Sequence, residues 1–296
     1  MTGVLLLDKP EGVTSAGVIR ALKPRLARTK VGHLGTLDPF ASGLLPLCLG
    51  EATKVARYLL AEHKAYDGTI RLGTATDTLD REGVTVETHA VPALDSSMLD
   101  AVAARFLGPQ KQVPPMFSAL KRGGVPLYKL ARKGIEVERE ARDVEITRLT
   151  LALAQPDRID FSVACSKGTY IRVLAADVGR ALGTVAHLER LRRTRVGRFE
   201  LHEATSLAAI EAMPPGAPLP LLDVRRALAE YRGFEATADV LARLRQGRQD
   251  VLATLPGPAA DETALVLDLL GGVAAVIEAR GTSHYWARDD NKNPQQ

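Results

Sequence analysis

Gly32-His33-Leu34-Gly35-Thr36-Leu37-Asp38-Pro39-Phe40-Ala41-Ser42-Gly43-Leu44-Leu45-Pro46 is the stretch around which this chain is organised. Its three glycines and two prolines exclude a long regular element. What remains is a tightly specified loop presenting two groups able to do chemistry, His33 and Asp38. Asp38 precedes a proline, which biases its backbone away from the helical region. The small residues Ala41-Ser42-Gly43 that follow leave room for close approach. Taken alone, such an aspartate reads as a turn residue capping its own backbone. The rest of the chain must decide.

Working outward, Val4-Leu5-Leu6-Leu7 reads as a strand ending in the turn Asp8-Lys9-Pro10. Thr14 or Ser15 can cap a helix with Val18, Ile19, Leu22 and Leu26 as its buried stripe, kinked or ended by Pro24. On the other side, Ala52, Val55, Ala56, Leu59 and Leu60 repeat with helical spacing, which predicts an amphipathic helix. A strand from Lys64 to Leu72 follows, placing Tyr66, Gly68, Ile70 and Leu72 on one face. Thr76 to Gly83 fails the calcium-loop pattern, because Leu79 and Arg81 occupy ligand positions, and reads as a polar loop.

A helix from about Ser97 to Leu107 leads into Val113-Pro114-Pro115-Met116-Phe117, too proline-rich for a central strand. Ile159, Phe161, Val163 and Cys165 alternate with Asp160, Ser162 and Ala164 as a half-buried strand. Ile171, Leu174, Ala175, Val178 and Leu182 then repeat as a helix, so Tyr170 and Arg172 fall at its start. A cation there opposes the positive end of the helix dipole by about 0.3–1 kcal/mol. A nearby carboxylate would remove the conflict, and Asp38 is the candidate. Pro214 to Pro220 reads as a linker, Asp239 to Gln246 as a helix stopped by Gly247, and Ala264–Leu269 with Val273–Ile277 as a hairpin.

The 296 residues are 46% hydrophobic and 25% charged, ordinary for a globular chain with a sizeable core. No apolar stretch approaches a membrane span, and Met1 to Asp8 has no basic leader, so a cytoplasmic location is expected. Cys48 and Cys165 are too few for a disulfide framework or a structural zinc site and are expected as buried free thiols. Net charge is +4, but seven basic residues against three acidic ones lie between Leu120 and Arg142. Five arginines and one glutamate lie between His187 and Phe199. Clustering of this kind points toward nucleic acid.

The central loop resembles the catalytic motif of the bacterial TruB family, pseudouridine synthases that modify uridine 55 in the tRNA T loop. Lys9-Pro10-Glu11-Gly12-Val13-Thr14-Ser15, Val113 to Lys121, Ser166 to Arg172 and Leu191-Arg192-Arg193-Thr194 resemble the family's other motifs, in its order. The resemblance implies an α+β fold, a mixed, largely antiparallel sheet flanked by helices. A small β-rich C-terminal PUA-like domain would complete it. The implied units are a catalytic domain 1–231 with an RNA-binding insertion 118–142, a PUA-like domain 232–288 and a disordered tail 289–296.

The resemblance also assigns roles. Asp38 would be the catalytic carboxylate, and Arg172 the fork that orients it. Tyr66, which by itself reads as core packing, would stack on the base and assist proton removal from C5. Tyr170 and Leu191 would wall the pocket, and His33 would fill the gap left by a flipped base. Lys9, Lys121, Lys129, Arg132 and Arg192 would contact substrate. The implied partner is the tRNA T stem-loop, bound by a monomer without a guide RNA, and the chemistry implies neither cofactor nor metal.

Isomerisation breaks N1–C1′, turns the base and bonds C5 to C1′; one positioned carboxylate can start it as nucleophile or base. Attack at C1′, attack at C6 and a glycal route all remain compatible. A glycosidic hydrolase would need two carboxylates in distinct environments, and no second acid stands out. An RNA-binding or folding factor would need the basic surfaces but not Asp38, Tyr66 and Arg172.

Overall fold

The computed structural model describes residues 1–60, 63–246, 248, 250–251 and 262–278. Its main sheet runs, in order, through Thr205–Ser206, Gly3–Lys9, Ser42–Leu49, Ala186–Val196, His63–Leu72, Arg158–Ser166, Arg142–Gln155 and Gly108–Gln112. Gly3–Lys9 runs parallel to Thr205–Ser206, and Ser42–Leu49 parallel to Ala186–Val196. The other neighbours along this path are antiparallel. The fold is therefore α+β with a mixed, largely antiparallel sheet.

Ser42–Leu49 is buried at every position, because both faces of the sheet are covered there. Residues 42–46 therefore belong to a buried strand and not to the loop read from the sequence, and Val31–His33 pairs with it as a short strand, which leaves 34–41 as the loop. The helices Ser15–Leu26, Ser96–Arg105 and Ile171–Ala181 cover one face with Leu22, Leu26, Leu99, Val102, Leu174 and Val178. Fully burying a leucine of this kind contributes roughly 1.5–3 kcal/mol. The opposite face carries Val4, Leu6, Leu44 and Cys48, packed against Val224, Leu265 and Val276 from the end of the chain. Burial pushes the Cys48 thiol up to about 12 and the Cys165 thiol up to about 11, so both are inert free thiols.

Several local expectations change in the folded chain. The helix after Thr14 is capped as read, Thr14 Oγ1 accepting the Gly17 N–H at 2.8 Å, but it continues two residues beyond Pro24. Arg25 holds that end by donating to the carbonyls of Glu211, Met213 and Pro214. The single helix expected from Ala52 to Leu60 is instead a 3₁₀ turn, Gly50–Lys54, followed by a four-residue α-helix, Ala56–Leu59. Ala52 and Val55 are three residues apart, a spacing that a 3₁₀ turn buries as well as an α-helix does. Leu60 is exposed.

The proline-rich stretch after Met213 is not a free linker. Leu219 joins the main core, and Leu221–Leu222 pairs with Leu5 and Val4 at the sheet edge. Beyond it, Arg232–Glu235, Thr263–Leu267 and Val273–Glu278 form a three-stranded sheet, with the expected hairpin as its second and third strands. Ala238–Arg245 is a helix capped by Thr237. Leu241, Leu244, Val266 and Ile277 make a small core of their own. The Gly247 stop, residues 279–288 of the PUA-like unit and the tail from Asp289 lie outside the described residues.

Candidate active site

The loop carrying Asp38 is fixed by side chains from three separate segments. Ser15 Oγ accepts the Leu37 N–H at 2.9 Å and donates to the Leu37 carbonyl at 3.1 Å. Lys9 is wholly buried, and its ammonium donates to the carbonyls of Pro10, Val13 and Pro39 at 2.8, 2.7 and 3.3 Å. Lys9 therefore supports the loop from behind, which corrects its expected placement as a substrate contact. Burial brings its pKa down to about 8, opposed by the Asp38 and Glu11 carboxylates, so it stays charged at neutral pH.

Arg193 is the third support, and sequence reading missed it. Only 1% exposed, it donates from Nε to the Leu44 carbonyl at 2.7 Å. Its Nη1 and Nη2 reach the carbonyls of Thr36 at 3.3 Å and Gly35 at 3.1 Å. The same guanidinium lies beside the Tyr66 phenol, and its charge opposes the rise that burial imposes on that phenol's pKa. Arg193 lies opposite both Tyr66 and Gly43 in the sheet. Gly43 has φ +101°, and a Cβ there would stand 2.3 Å from the Arg193 carbonyl oxygen, so only glycine fits. Replacing Arg193 with methionine leaves buried carbonyls without a charged donor. The expected loss is roughly 3 kcal/mol or more, read as a lower denaturant midpoint. A midpoint unchanged from wild type would show that the loop holds itself.

Asp38 meets Arg172 across the cavity, Oδ2 to Nε at 3.0 Å. The Arg172 side chain is only 6% exposed, against 38% for Asp38. Its Nη1 donates to the Thr78 carbonyl at 3.0 Å and its Nη2 to the Phe117 carbonyl at 2.7 Å. Nη1 also lies 3.3 Å from Oδ2 of Asp80, a carboxylate as buried as the arginine. Asp80 Oδ1 in turn accepts from the Thr78 hydroxyl at 2.7 Å and the Glu82 N–H at 3.0 Å. The segment read as a polar loop thus buries Thr76 and Asp80, and Asp80 is the second acid that sequence reading did not find. One guanidinium serves two carboxylates at the start of the helix, where the dipole alone would disfavour it. Burial raises the Asp38 pKa above the usual carboxylate range; Arg172 opposes the rise and Asp80 adds to it.

Asp38, Tyr66, Tyr170, Arg172 and Leu191 line one cavity of about 380 Å³. Leu120 of the basic insertion closes part of its rim. Burial raises the Tyr66 phenol pKa, and the Arg193 cation pulls it back. Tyr170 is the N-cap residue of its helix, its N–H donating to Gln112 Oε1 at 2.7 Å. His33 is half-buried on the short strand Val31–His33, its Nδ1 without a partner among the described residues, and burial lowers its pKa. His33 and Arg192 do not line the cavity. Arg192 points outward to Asp8, Nη2 to Oδ2 at 2.7 Å. Lys121, Lys129 and Arg132 are exposed on a small hairpin and a helical turn, away from the cavity lining. Among the described residues no three His, Cys, Asp or Glu side chains are placed to hold a metal ion, and no helix is long and apolar enough to cross a membrane.

Residues 23–171 match the model of the TruB family pseudouridylate synthase N-terminal domain. Residues 172–214 match that of the tRNA pseudouridylate synthase B C-terminal domain. This chain belongs to the TruB family. It is 50% identical over 258 residues to the tRNA pseudouridine synthase B of Aromatoleum aromaticum, covering 87% of this chain and 83% of the relative. That of Syntrophotalea carbinolica is 42% identical over 282 residues, covering 95% and 90%. That of Psychrobacter cryohalolentis is 49% identical, but the match spans only 61% of its length. In fold, this TruB-family chain is similar to a solved Cbf5-Nop10-Gar1 complex, with TM-score 0.71 at 24% identity over 97% of this chain and 83% of that one. An H/ACA RNP bound to a substrate RNA containing 2′-deoxyuridine gives 0.67 at 22%, over 97% and 86%.

Proposed function

We propose that this chain isomerises uridine 55 in the T loop of tRNA to pseudouridine, with Asp38 as the catalytic carboxylate. The observation that carries the reading is the Asp38–Arg172 pair at 3.0 Å in a cavity shared with Tyr66 and Leu191, in a chain of this family. Arg172 holds Oδ2, and among the described residues Oδ1 has no hydrogen-bond partner, so one oxygen is oriented and the other is free for the ribose or base.

The target uridine leaves its stack at a cost of a few kcal/mol and enters the cavity. Tyr66 lies against the base and assists departure of the proton that C5 loses to solvent once C5 is bonded to C1′. N1 takes up a proton in exchange, so atoms balance without oxidant or reductant. Leu191 and Tyr170 exclude water that would hydrolyse a detached base. The reaction moves no net electrons and transfers no group to a second molecule, so it requires neither cofactor nor metal. Lys121, Lys129 and Arg132 contact RNA phosphates from the insertion 118–142, and His33 fills the space vacated by the base. The segment 232–288 is a PUA-like RNA-binding unit. The substrate partner is tRNA alone, taken by a cytoplasmic monomer without a guide RNA.

Incubating the protein with an unmodified tRNA transcript and an excess of chelator should produce pseudouridine at one T-loop position. Unchanged uridine under these conditions, with the RNA folded, would reject the reading.

A further inference from the structure

A second cleft, of about 460 Å³, lies past the start of the central strand and is lined by Arg57, Tyr58, His63, Arg195, Arg198 and Tyr231. We propose that it binds a nucleotide of the substrate RNA outside the T loop, taking the phosphate on its arginines and a base against its tyrosines. This rests on the function proposed above.

The cleft and the catalytic cavity are built on the same two strands but are distinct. Lys64 and Tyr66 line the catalytic cavity, while His63, one residue earlier on the same strand, lines the cleft. Across from them, Arg195 pairs with Ala65 and Val196 with Lys64. Successive residues of a strand point to opposite faces, so the cleft is a separate site, reached by a different part of the RNA.

The charge in the cleft is unbalanced. Arg195 is exposed, and among the described residues neither it nor His63 has a side-chain partner. Arg198 donates to the Arg226 carbonyl and lies 5.8 Å above the Phe199 ring, with no ion-pair partner among the described residues. Arg57 pairs with Glu278 at 2.9 Å, and Glu230 is the acid that lines the opening. Guanidinium groups held toward a concavity without a counter-ion suit a phosphodiester, whose oxygens match their planar fork. Tyr58 and Tyr231 stand edge to face with ring centres 6.2 Å apart, and Arg57 lies 4.6 Å from the Tyr58 ring centre, so the arginines of the cleft adjoin aromatic rings. Phosphate-binding cations next to aromatic faces are the arrangement that holds single nucleotides without reading sequence.

The test compares wild type, Arg195→Glu and Arg195→Lys on a full-length tRNA transcript and on an isolated T stem-loop, measuring kcat, KM and binding at several salt concentrations. Arg195→Glu should raise KM for full-length tRNA severalfold and leave kcat on both substrates, and KM for the stem-loop, unchanged. Arg195→Lys should recover most of the loss. The salt slope of tRNA binding should fall by somewhat under one unit for each phosphate that the variant no longer neutralises. An unaltered KM and slope on full-length tRNA would overturn the proposal, and so would an equal rise on both substrates, which would place Arg195 in the T-loop site. Wild-type protein that binds tRNA without isomerising it would reject the enzymatic reading alone, leaving the cleft to be judged by the binding slopes. Adenosine monophosphate or inorganic phosphate at fixed ionic strength should not raise Tm. A rise that Arg195→Glu abolishes would make this a free-nucleotide site and overturn the RNA assignment.

Discussion

Asp38→Asn should lower turnover on T-loop RNA by at least about 10⁴-fold, because the amide keeps the shape but can neither attack nor accept a proton. RNA affinity should stay within a few-fold of wild type. Stability should move the other way at neutral pH. Burial raises the folded-state pKa of Asp38 above its ordinary 3.8, so the native fold prefers the protonated acid. Stability from this group is complete below the unfolded pKa and is lost as pH rises through the raised folded value. The ionised carboxylate therefore contributes less to stability than the protonated acid does. Arg172 is not orphaned by the substitution, because Asp80 remains 3.3 Å from its Nη1. The Asp38→Asn variant should melt no lower than wild type at neutral pH, and any gain should vanish in acid, where wild type is protonated. Wild-type activity should fall on acidification with a midpoint above the ordinary carboxylate value. A melting temperature well below wild type at neutral pH would mean that Asp38 stabilises the loop rather than serving the chemistry.

Arg172→Met is expected to be the most damaging substitution to the fold. It removes the shared cation and leaves Asp38 and Asp80 close together, with Asp80 only 6% exposed. Removing one member of a buried pair costs about 3–5 kcal/mol, on the order of 10 °C in Tm for a chain of this size. The carbonyls of Thr78 and Phe117 lose donors as well. Arg172→Lys keeps the charge but cannot reach both carboxylates and both carbonyls at once, so it should lose turnover more than stability. Adding Asp80→Asn to Arg172→Met should recover part of the lost stability, because one of the two unpaired charges is gone. Strict additivity in that cycle would show that the arginine and Asp80 are energetically independent.

Arg172 and Asp38 differ from Asp80 and Arg193 in how they could be found. Asp38 announces itself locally, since the glycines and prolines around it forbid regular structure and leave few groups with chemistry. Arg172 is also local, because helical spacing from Ile171 onward puts it in a first turn where a cation needs a carboxylate. Asp80 looked like one of several polar residues between Thr76 and Gly83. Its burial follows from the turn docking on a helix start 92 positions later in the chain, a packing fact that no local pattern encodes. The basic insertion was legible for the same reason as Asp38, composition within a short window. The strand Ser42–Leu49 was not legible, because the glycines and prolines of residues 32–46 read as a loop and only pairing on both sides of it in the sheet makes its first five residues a strand.

The LRRT segment marks the boundary between the two kinds of knowledge. Arg192 and Arg193 are adjacent and chemically identical, and strand alternation guarantees only that they face opposite ways. Which one enters the core depends on register: Arg193 lies opposite Tyr66 and Gly43, with irregularities in that pairing between Leu188 and Arg190 and between Arg193 and Arg195. A one-residue slip would exchange them. Lys9 is the same lesson in a turn, where an ammonium is buried because three carbonyls from separate parts of two loops converge on it. The sequence by itself determined the family, the sheet-and-helix class and the loop that presents Asp38. Tertiary structure decided which charged side chains hold that aspartate in place, because burial and register depend on residues far apart in the chain.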